Sequence, residues 1–368
     1  MSTVRANQIL DAAGGNTAQI NGMTPTAQSL QGFRNRIING NMVIDQRNNG
    51  ASQSVTTSNV YCVDRWSVRA STGSGHAVQQ TTTAPAGFTN SLRFTTGTGA
   101  SPASGDVNWL LQPIEGFNAA DFAWGTASAV SATIGFWVRS SLTGTFGGAI
   151  QNNANNRSYP FTYTISAANT FEYKTVTIPG DTTGTWLTNN GTGLFLYVSM
   201  GMGSNFRGTA GAWAGSDFRG AIGETNVVGT SGATFFLTGV QLEAGSVATP
   251  FEQIDYGREL MMCQRYYYRT IDAQSNAALM VGGVEGSTQA AVSMRHPVDM
   301  RASPTLSFGS GVRLYTSNAS GIPGIGQNRS TQNMAAAAVT FSSMVGGQAA
   351  YIFNATNPNS FIELSAEL

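Results

Sequence analysis

Ala132-Thr-Ile-Gly-Phe-Trp-Val-Arg139 and Ser158-Tyr-Pro-Phe-Thr-Tyr-Thr-Ile165 decide the fold. In the first, Ala132, Ile134, Phe136 and Val138 alternate with Thr133, Gly135, Trp137 and Arg139; in the second, Tyr159, Phe161, Tyr163 and Ile165 alternate with Ser158, Pro160, Thr162 and Thr164. A period of two puts one apolar face on a pleated strand and denies a helix its stripe. Leu92 and Phe94 repeat the pattern, and runs over 171–178, 194–200 and 235–243 extend it. Thr96-Gly-Thr-Gly99, Pro179-Gly-Asp181, Asn189-Asn-Gly191 and Gly201-Met-Gly203 punctuate these runs as turns. Short strands separated by turn residues, with no helical period between them, predict an all-β sandwich.

The rest of the chain is organised around that sandwich. Residues 1–33 are thin in large apolar groups and predict either a frayed tail or an extended arm that orders only against a partner. Residues 34–252 hold the sandwich. In 253–269, Tyr256, Leu260, Cys263 and Tyr267 fall at spacings of four, three and four, with Glu252, Asp255 and Glu259 early and Arg265 and Arg269 late. That spacing predicts a connecting helix of about four turns whose apolar seam packs either on its own domain or on copies of itself. Over 270–368 the strand pattern returns with fewer aromatics, at 277–284, 291–298, 305–315, 338–345, 349–354 and 361–364, around a polar loop at 317–332. A smaller C-terminal β domain is expected there, its last strand tied into a sheet.

Composition narrows the function. Only 10% of the 368 residues are charged against 41% hydrophobic, and nineteen basic residues balance nineteen acidic ones. A typical soluble domain is about 25% charged. No cationic excess exists to neutralise phosphates, which argues against nucleic-acid binding. Lys174 is the only lysine, so the cations are almost all planar guanidinium groups suited to stacking and bidentate bonds. The first residues lack a secretory signal's apolar stretch, and no run reaches the ~20 residues of a membrane span. Synthesis in a cytosol without membrane insertion is expected. Cys62 and Cys263, read as lying in different domains, offer neither a disulfide framework nor a zinc site, and His76 and His296 are the only histidines. Trp66, in Tyr61-Cys-Val-Asp-Arg-Trp66, reads as a core residue with Cys62 an inert thiol and Asp64 or Arg65 in a rim ion pair.

One constellation points to a ligand. The long excursion at 201–234 carries Phe206, Arg207, Trp213, Asp217, Phe218 and Arg219 among glycines. Aromatic faces beside planar charged donors and acceptors suit a pyranose ring and its hydroxyls; the same loop could instead fold down as a lid or sit between protomers. Trp109, Trp124 and Trp186 could line a sheet face but read better as packing. The carboxylates are scattered, with no pair marked for hydrolysis. Asp45, Glu243 and Glu252 are candidates for a calcium ion, but no metal site is assigned.

Several stretches carry a resemblance. Asn35-Arg-Ile-Ile-Asn-Gly-Asn-Met-Val-Ile-Asp-Gln-Arg47 resembles the opening strand of phage tail-fibre and related virion proteins. Phe236-Leu-Thr-Gly-Val-Gln-Leu-Glu-Ala-Gly-Ser-Val-Ala-Thr-Pro-Phe-Glu252 resembles the closing strand of that module, and Tyr256-Gly-Arg-Glu-Leu-Met-Met-Cys-Gln-Arg-Tyr-Tyr-Tyr268 the helix after it. Met300-Arg-Ala-Ser-Pro-Thr-Leu306 and Ile362-Glu-Leu-Ser-Ala-Glu-Leu368 look like the distal domain of such fibres. The opening and closing strands are also similar to jelly-roll carbohydrate-binding modules. Where those modules often place a carboxylate after the opening Asn-Gly pair, this chain has Met42, while Glu243 keeps the second position. The resemblance implies a jelly-roll sandwich in a non-enzymatic, adhesive virion appendage, commonly a homotrimer. Residues 1–33 would dock on tail or baseplate proteins, and the distal domain would face a host-surface glycan. A polysaccharide depolymerase and an inert collar or head decoration are the alternatives.

Overall fold

A computed structural model describes residues 33–270, 278–316, 320–321, 323–354 and 360–368. The arm expected over 1–33 therefore lies outside the described residues, apart from Phe33. The fold is mainly β, as the alternation predicts. Its described residues form two compact units that draw on interleaved stretches of chain: unit 1 takes residues up to Asn41, Ser54–Asn59 and Val68–Gln253, and unit 2 takes Met42–Gln53, Val60–Ser67 and Ile254–Leu368. Among the described residues, no helix is long and apolar enough to cross a membrane.

Unit 1 is a two-sheet sandwich. One sheet runs Ala77–Thr81, Ser91–Thr95, Thr234–Ala244, Ala132–Ser140, Glu172–Ile178 in spatial order; the other runs Ser67–Ala70, Asn108–Glu115, Thr192–Ser199, Gly144–Asn152, Ser158–Ile165. Every pairing between these strands whose register is resolved is antiparallel. Leu92, Phe94, Val138, Phe146, Ile150, Phe235 and Leu237 are completely buried. Each such side chain withdrawn from water contributes about 1.5–3 kcal/mol. The second sheet departs from simple alternation: all eight residues of Asn108–Glu115 are buried. Both its faces are covered, one by the sandwich core and one by the excursion at 201–234.

The two motifs that carry the resemblance are clipped to each other. Val240 N donates to Gly40 O at 3.0 Å and Arg36 N to Leu242 O at 2.8 Å. The Asn35 side chain donates to Val240 O at 3.1 Å and accepts from Leu242 N at 3.0 Å. A Cβ at Gly40 would lie 2.1 Å from Val240 O, so only glycine admits this approach. Glu252 closes the clip by accepting from the backbone N–H groups of Phe33, Arg34 and Asn35 at 2.6–2.8 Å.

Unit 2 corrects several expectations. The helix spans only Tyr256–Gln264, with Asp255 capping it through Gly257 N and Arg258 N. Tyr267–Arg269 is instead a strand pairing with Ile362–Ser365, which in turn pairs with Thr305–Phe308. The proposed seam therefore does not exist as one stripe: Tyr256 is 60% exposed, Leu260 half-buried, Cys263 fully buried, and Tyr267 is a buried strand residue. The β-branched and aromatic preference of Tyr266-Tyr-Tyr268 outweighs the helical spacing. The expected strand at 305–315 is two strands in different sheets, because Val312–Thr316 joins a seven-stranded sheet with Ala349–Asn354, Ala278–Val284, Gln289–Arg295, Met334–Thr340 and Gly324–Asn328. Part of the polar loop expected at 317–332 is thus an edge strand, Gly324–Asn328, paired with Met334–Thr340. The last strand is tied into a sheet as expected.

Cys62 and Cys263 are buried thiols that form no disulfide among the described residues, and both belong to unit 2, not to different domains. Trp66 is a core residue. The rim ion pair expected beside it is instead buried: Arg65 pairs with Glu367, and Arg47 reaches Asp64 at 3.4 Å and Glu367 at 2.9 Å.

Candidate functional site

The excursion at 201–234 returns across the outer face of the second sheet of unit 1. A turn of 3-10 helix, Ser204–Phe206, leads into Arg207–Gly208, which pairs in parallel with Gly220–Ala221. Glu224 roots the return. Its carboxylate accepts from Ser199 Oγ at 2.6 Å, Met202 N at 2.8 Å and Ala221 N at 3.0 Å. Burial raises its pKa, which these hydrogen bonds and Arg207 oppose. The sheet yields space for it with glycine: a Cβ at Gly147 would lie 2.2 Å from Glu224 Oε2.

The six residues singled out in the excursion do not form one site. Phe218 packs on Gly208, where a Cβ would lie 2.3 Å from its ring, and Arg207 is half-buried in the ladder. The other four separate into a closed place and an open one.

The closed place is an aromatic plate. Trp109 and Tyr197, on neighbouring strands, meet edge to face with centroids 5.3 Å apart, and Phe195 adjoins Tyr197 at 5.8 Å. Arg219 lies over them, its guanidinium carbon 5.1 Å from the Trp109 ring, 5.7 Å from Tyr197 and 4.8 Å from Phe206. Asp217 holds that guanidinium with two 2.8 Å bonds and is itself clasped to the sheet by Gln151 Nε2 at 2.6 Å. Here the loop acts as the lid that the sequence reading left as an alternative.

The open place lies among the loops. Trp213, Trp186 and Trp124 are mutually edge to face, with centroids 4.9–5.5 Å apart, and Tyr159 touches Trp213 at 5.2 Å. Trp124 is buried, while Trp186 and Trp213 are half-buried and keep ring surface in solvent. Each indole N–H is satisfied: Trp124 by Val130 O, Trp213 by Pro179 O, and Trp186 by Thr183 O and Asp181. Arg157 stands over Trp213 at 5.7 Å and donates through Nε and Nη2 to Asp181 at 2.9 and 2.6 Å. Burial alone would raise the Asp181 pKa, but the bonds from Arg157 and Thr183 hold it below the usual value. Nη1 of Arg157 makes no hydrogen bond among the described residues. The result is two half-buried indoles beside an oriented donor whose charge is balanced by Asp181.

The sequence reading named Trp213 but missed Arg157, Asp181 and Tyr159, which lie on other loops and strands and carry no local motif. The packing role expected of Trp109 and Trp124 holds, since both are buried; Trp186 is half-buried. The calcium candidates are each engaged locally. Asp45 accepts from Asn48 N and Gly50 N, Glu243 from Gln241 Nε2 and from Thr249 N and Oγ1, and Glu252 from three backbone N–H groups. Among the described residues, no group of three or more His, Cys, Asp or Glu could hold a metal ion.

No protein-family model matches the chain, and no curated protein matches its sequence. Among solved structures, the chain is similar to a protein of Bacteroides thetaiotaomicron described as sugar binding, at 10% identity and TM-score 0.34 over 58% of this chain and 100% of that one. A family 11 carbohydrate-binding module of Clostridium thermocellum, in complex with a mixed-linked tetrasaccharide, is similar at 10% identity and TM-score 0.27 over 54% of this chain and 98% of the module. The enzymatically active domain of tailspike protein 4 from bacteriophage CBA120 is similar at 12% identity and TM-score 0.30 over 49% of this chain, which spans only 19% of that domain's length.

Proposed function

We propose that this chain is a glycan-binding adhesin of a phage fibre-type appendage, acting by binding and not by catalysis. The observation that carries this reading is the open tryptophan site of unit 1. Two half-exposed indole faces offer the flat apolar surface that stacks on a pyranose ring. Arg157, held by Asp181, offers a directed donor to a ring hydroxyl without the entropy cost of ordering a free arginine. Because the Arg157–Asp181 pair is neutral, the site favours neutral hexoses over sialylated or uronic sugars. The carboxylates nearest the aromatic rings support a non-catalytic role: Asp181 and Asp217 are ion-paired, and Glu224 is saturated by three donors.

A single such site is weak. Carriage in several copies on a virion, with residues 1–33 as the anchor to tail or baseplate proteins, multiplies it through effective concentration. The test uses the whole chain on intact host cells and on purified host polysaccharide. Wild type should bind and release no reducing ends, and the Trp186→Ala/Trp213→Ala chain should bind at least tenfold more weakly. Undiminished binding by that double variant, or steady release of reducing ends by wild type, overturns the reading. Particles made with a chain lacking 1–33 should lack the protein, although the truncated chain still folds.

A further inference from the structure

We propose that the open face of the seven-stranded sheet in unit 2 is an interface between two copies of this chain. The copies lie face to face about a two-fold axis that runs along Ala278–Val284, the central strand of that sheet. The inference concerns unit 2 alone and does not rest on the glycan reading of unit 1.

The first argument is the relief of the face. Leu314, Ile352, Val292 and Ala337 point into the core, so the residues alternating with them stand on the other side. The ladder register sets those residues in rows. One row reads Tyr315, Tyr351, Val281, Ser293, Ala336 across five strands. The next row places Arg313 beside Phe353 on one flank and Arg295 beside Met334 on the other. The flank made by Val312–Thr316 and Ala349–Asn354 is a ridge of three rings, Tyr315, Tyr351 and Phe353, with centroids 5.0–6.4 Å apart. The opposite flank, Gln289–Arg295 and Met334–Thr340, is a trough floored by the small residues Ser293, Ala291 and Ala336. Val281 stands between the two and is 61% exposed, with Tyr315 at 41% and Met334 at 38%.

The second argument is that this relief complements itself. A two-fold axis parallel to the strands exchanges the flanks, so the ridge of each copy falls on the trough of the other. Tyr351 then faces Ser293 of the other copy, and Tyr315 faces Ala336. An axis across the strands would instead set ring against ring and leave the small residues facing a void. The charges agree with the first arrangement. Arg295 arrives over the Phe353 ring, a favourable seat for a guanidinium, and Arg313 arrives over Met334. No two cations meet.

The third argument is area. Strands ~4.8 Å apart, rising ~3.3 Å per residue, give the five-strand face roughly 500 Å² in plane. The standing side chains raise its accessible area toward the about 800 Å² that each partner buries in a standard interface. Monomers rarely leave an apolar patch of that extent uncovered. Aligned packing of the two sheets brings the Val281 side chains of both copies together at the axis.

The test uses the full chain carrying Val281→Cys, treated at micromolar concentration with bismaleimidoethane, a short thiol–thiol cross-linker. Cys62 and Cys263 are buried and do not compete. A covalent dimer should form in at least tenfold higher yield than from Val247→Cys, an exposed position of unit 1. Adding Ser293→Tyr fills the trough and should cut the Val281→Cys dimer at least fivefold. Adding Tyr351→Ser as well should restore at least half the yield, because the exchange again sets a ring opposite a hydroxyl. Within one copy Val281 separates positions 351 and 293, so this restoration reports a pairing between copies. If Ser293→Tyr loses its fold, Ala336→Tyr with Tyr315→Ala is read in the same way. Equal cross-linking at positions 281 and 247, a dimer that Ser293→Tyr leaves unchanged, or a loss that Tyr351→Ser does not restore overturns the proposal. So does weakened binding of host polysaccharide by Tyr315→Ala/Tyr351→Ala when Val281→Cys gives no dimer, which assigns the face to a ligand instead. Trp186 and Trp213 are untouched throughout, so the open-site reading stands or falls separately.

Discussion

Ser199 Oγ donates a 2.6 Å hydrogen bond to Glu224 Oε1, joining the last residue of a central strand to the returning end of the strap formed by residues 201–224. The same carboxylate gathers Met202 N and Ala221 N, so one side chain fixes both ends of the segment that carries Phe206, Trp213, Asp217 and Arg219. Glu224→Ala strands these donors in a buried setting, where each unsatisfied group costs about 1–3 kcal/mol. Glu224→Gln replaces an acceptor oxygen with an NH2 group facing other donors, and is expected to cost nearly as much. Both variants should lower the denaturation midpoint in urea and raise hydrogen exchange across 201–224; protection equal to wild type would show that the strap is held elsewhere.

Arg157 and Asp181 predict a different signature. Asp181→Asn keeps the shape but removes the charge that accepts two guanidinium bonds, so Arg157 loses its fixed orientation. Glycan affinity should fall five- to tenfold, while stability changes by about 1 kcal/mol, since Asp181 is buried but the Arg157 side chain keeps 20% of its surface in water and is partly screened. The Asp181 pKa is held below its ordinary value, so the pair persists above about pH 4 and is lost as pH falls through the carboxylate's folded pKa. Wild-type affinity should therefore be flat from pH 7 to pH 5, as titration calorimetry at both pH values would show.

How far the sequence could be read follows from which faces are covered. The strands Ala132–Ser140 and Ser158–Ile165 showed themselves because a wet or polar face alternates with a core face along much of their length. Asn108–Glu115 escaped detection because Trp109 and Leu111 pack with Met202 and Phe206 of the excursion while Leu110, Gln112 and Ile114 are buried as well, which leaves no period. Gly144–Asn152 escaped because Gly147 and Gly148 stand where Glu224, Tyr197 and Phe161 need room. Gly324–Asn328 is an exposed edge strand with no side to bury, and reads as loop. The helix was overextended because a spacing of four, three and four does not reveal that Tyr267 will pair with Ser365. For the site, residue types were legible in the excursion, but its partition was not: Arg219 and Trp213 are six residues apart and serve different ring clusters.

Asp64 predicts a pH dependence of opposite sense to Asp181. Burial raises its pKa to about 7, against the opposing influence of Arg47 and the Gln46 hydrogen bonds. Between about pH 4 and pH 7 the folded chain holds this proton more tightly than the unfolded chain does, so unfolding releases it. The contribution of Asp64 to stability is thus full below about pH 4, declines as pH rises through that window, and is constant above pH 7. Asp45, also raised by burial, acts in the same sense. Urea denaturation at pH 5, 6, 7 and 8 should show wild-type stability falling across the first three values, and Asp64→Asn should flatten that slope. An identical slope in the variant would assign the effect to another group.

Glu367 gives the largest expected loss. Its two carboxylate oxygens take Arg47 at 2.9 Å and Arg65 in a short ion pair, and Arg65 is 1% exposed. The arginines cannot turn to solvent easily, because Arg65 lies 3.7 Å over the Tyr266 ring and Arg47 3.5 Å over Tyr267. Arg301 fastens the same segment by donating to Ala366 O at 2.9 Å and Glu367 O at 3.0 Å, and Ala366 N donates to Tyr266 O at 2.8 Å. Removing one partner of a buried pair costs about 3–5 kcal/mol, because the remaining charge stays buried. Glu367→Ala leaves two guanidinium groups facing one vacated position and should fall at the upper end of that range. Glu367→Gln retains an acceptor oxygen and should cost about half as much. Reversing the order of these two costs in urea denaturation would show that side-chain volume, and not charge, holds the segment in place.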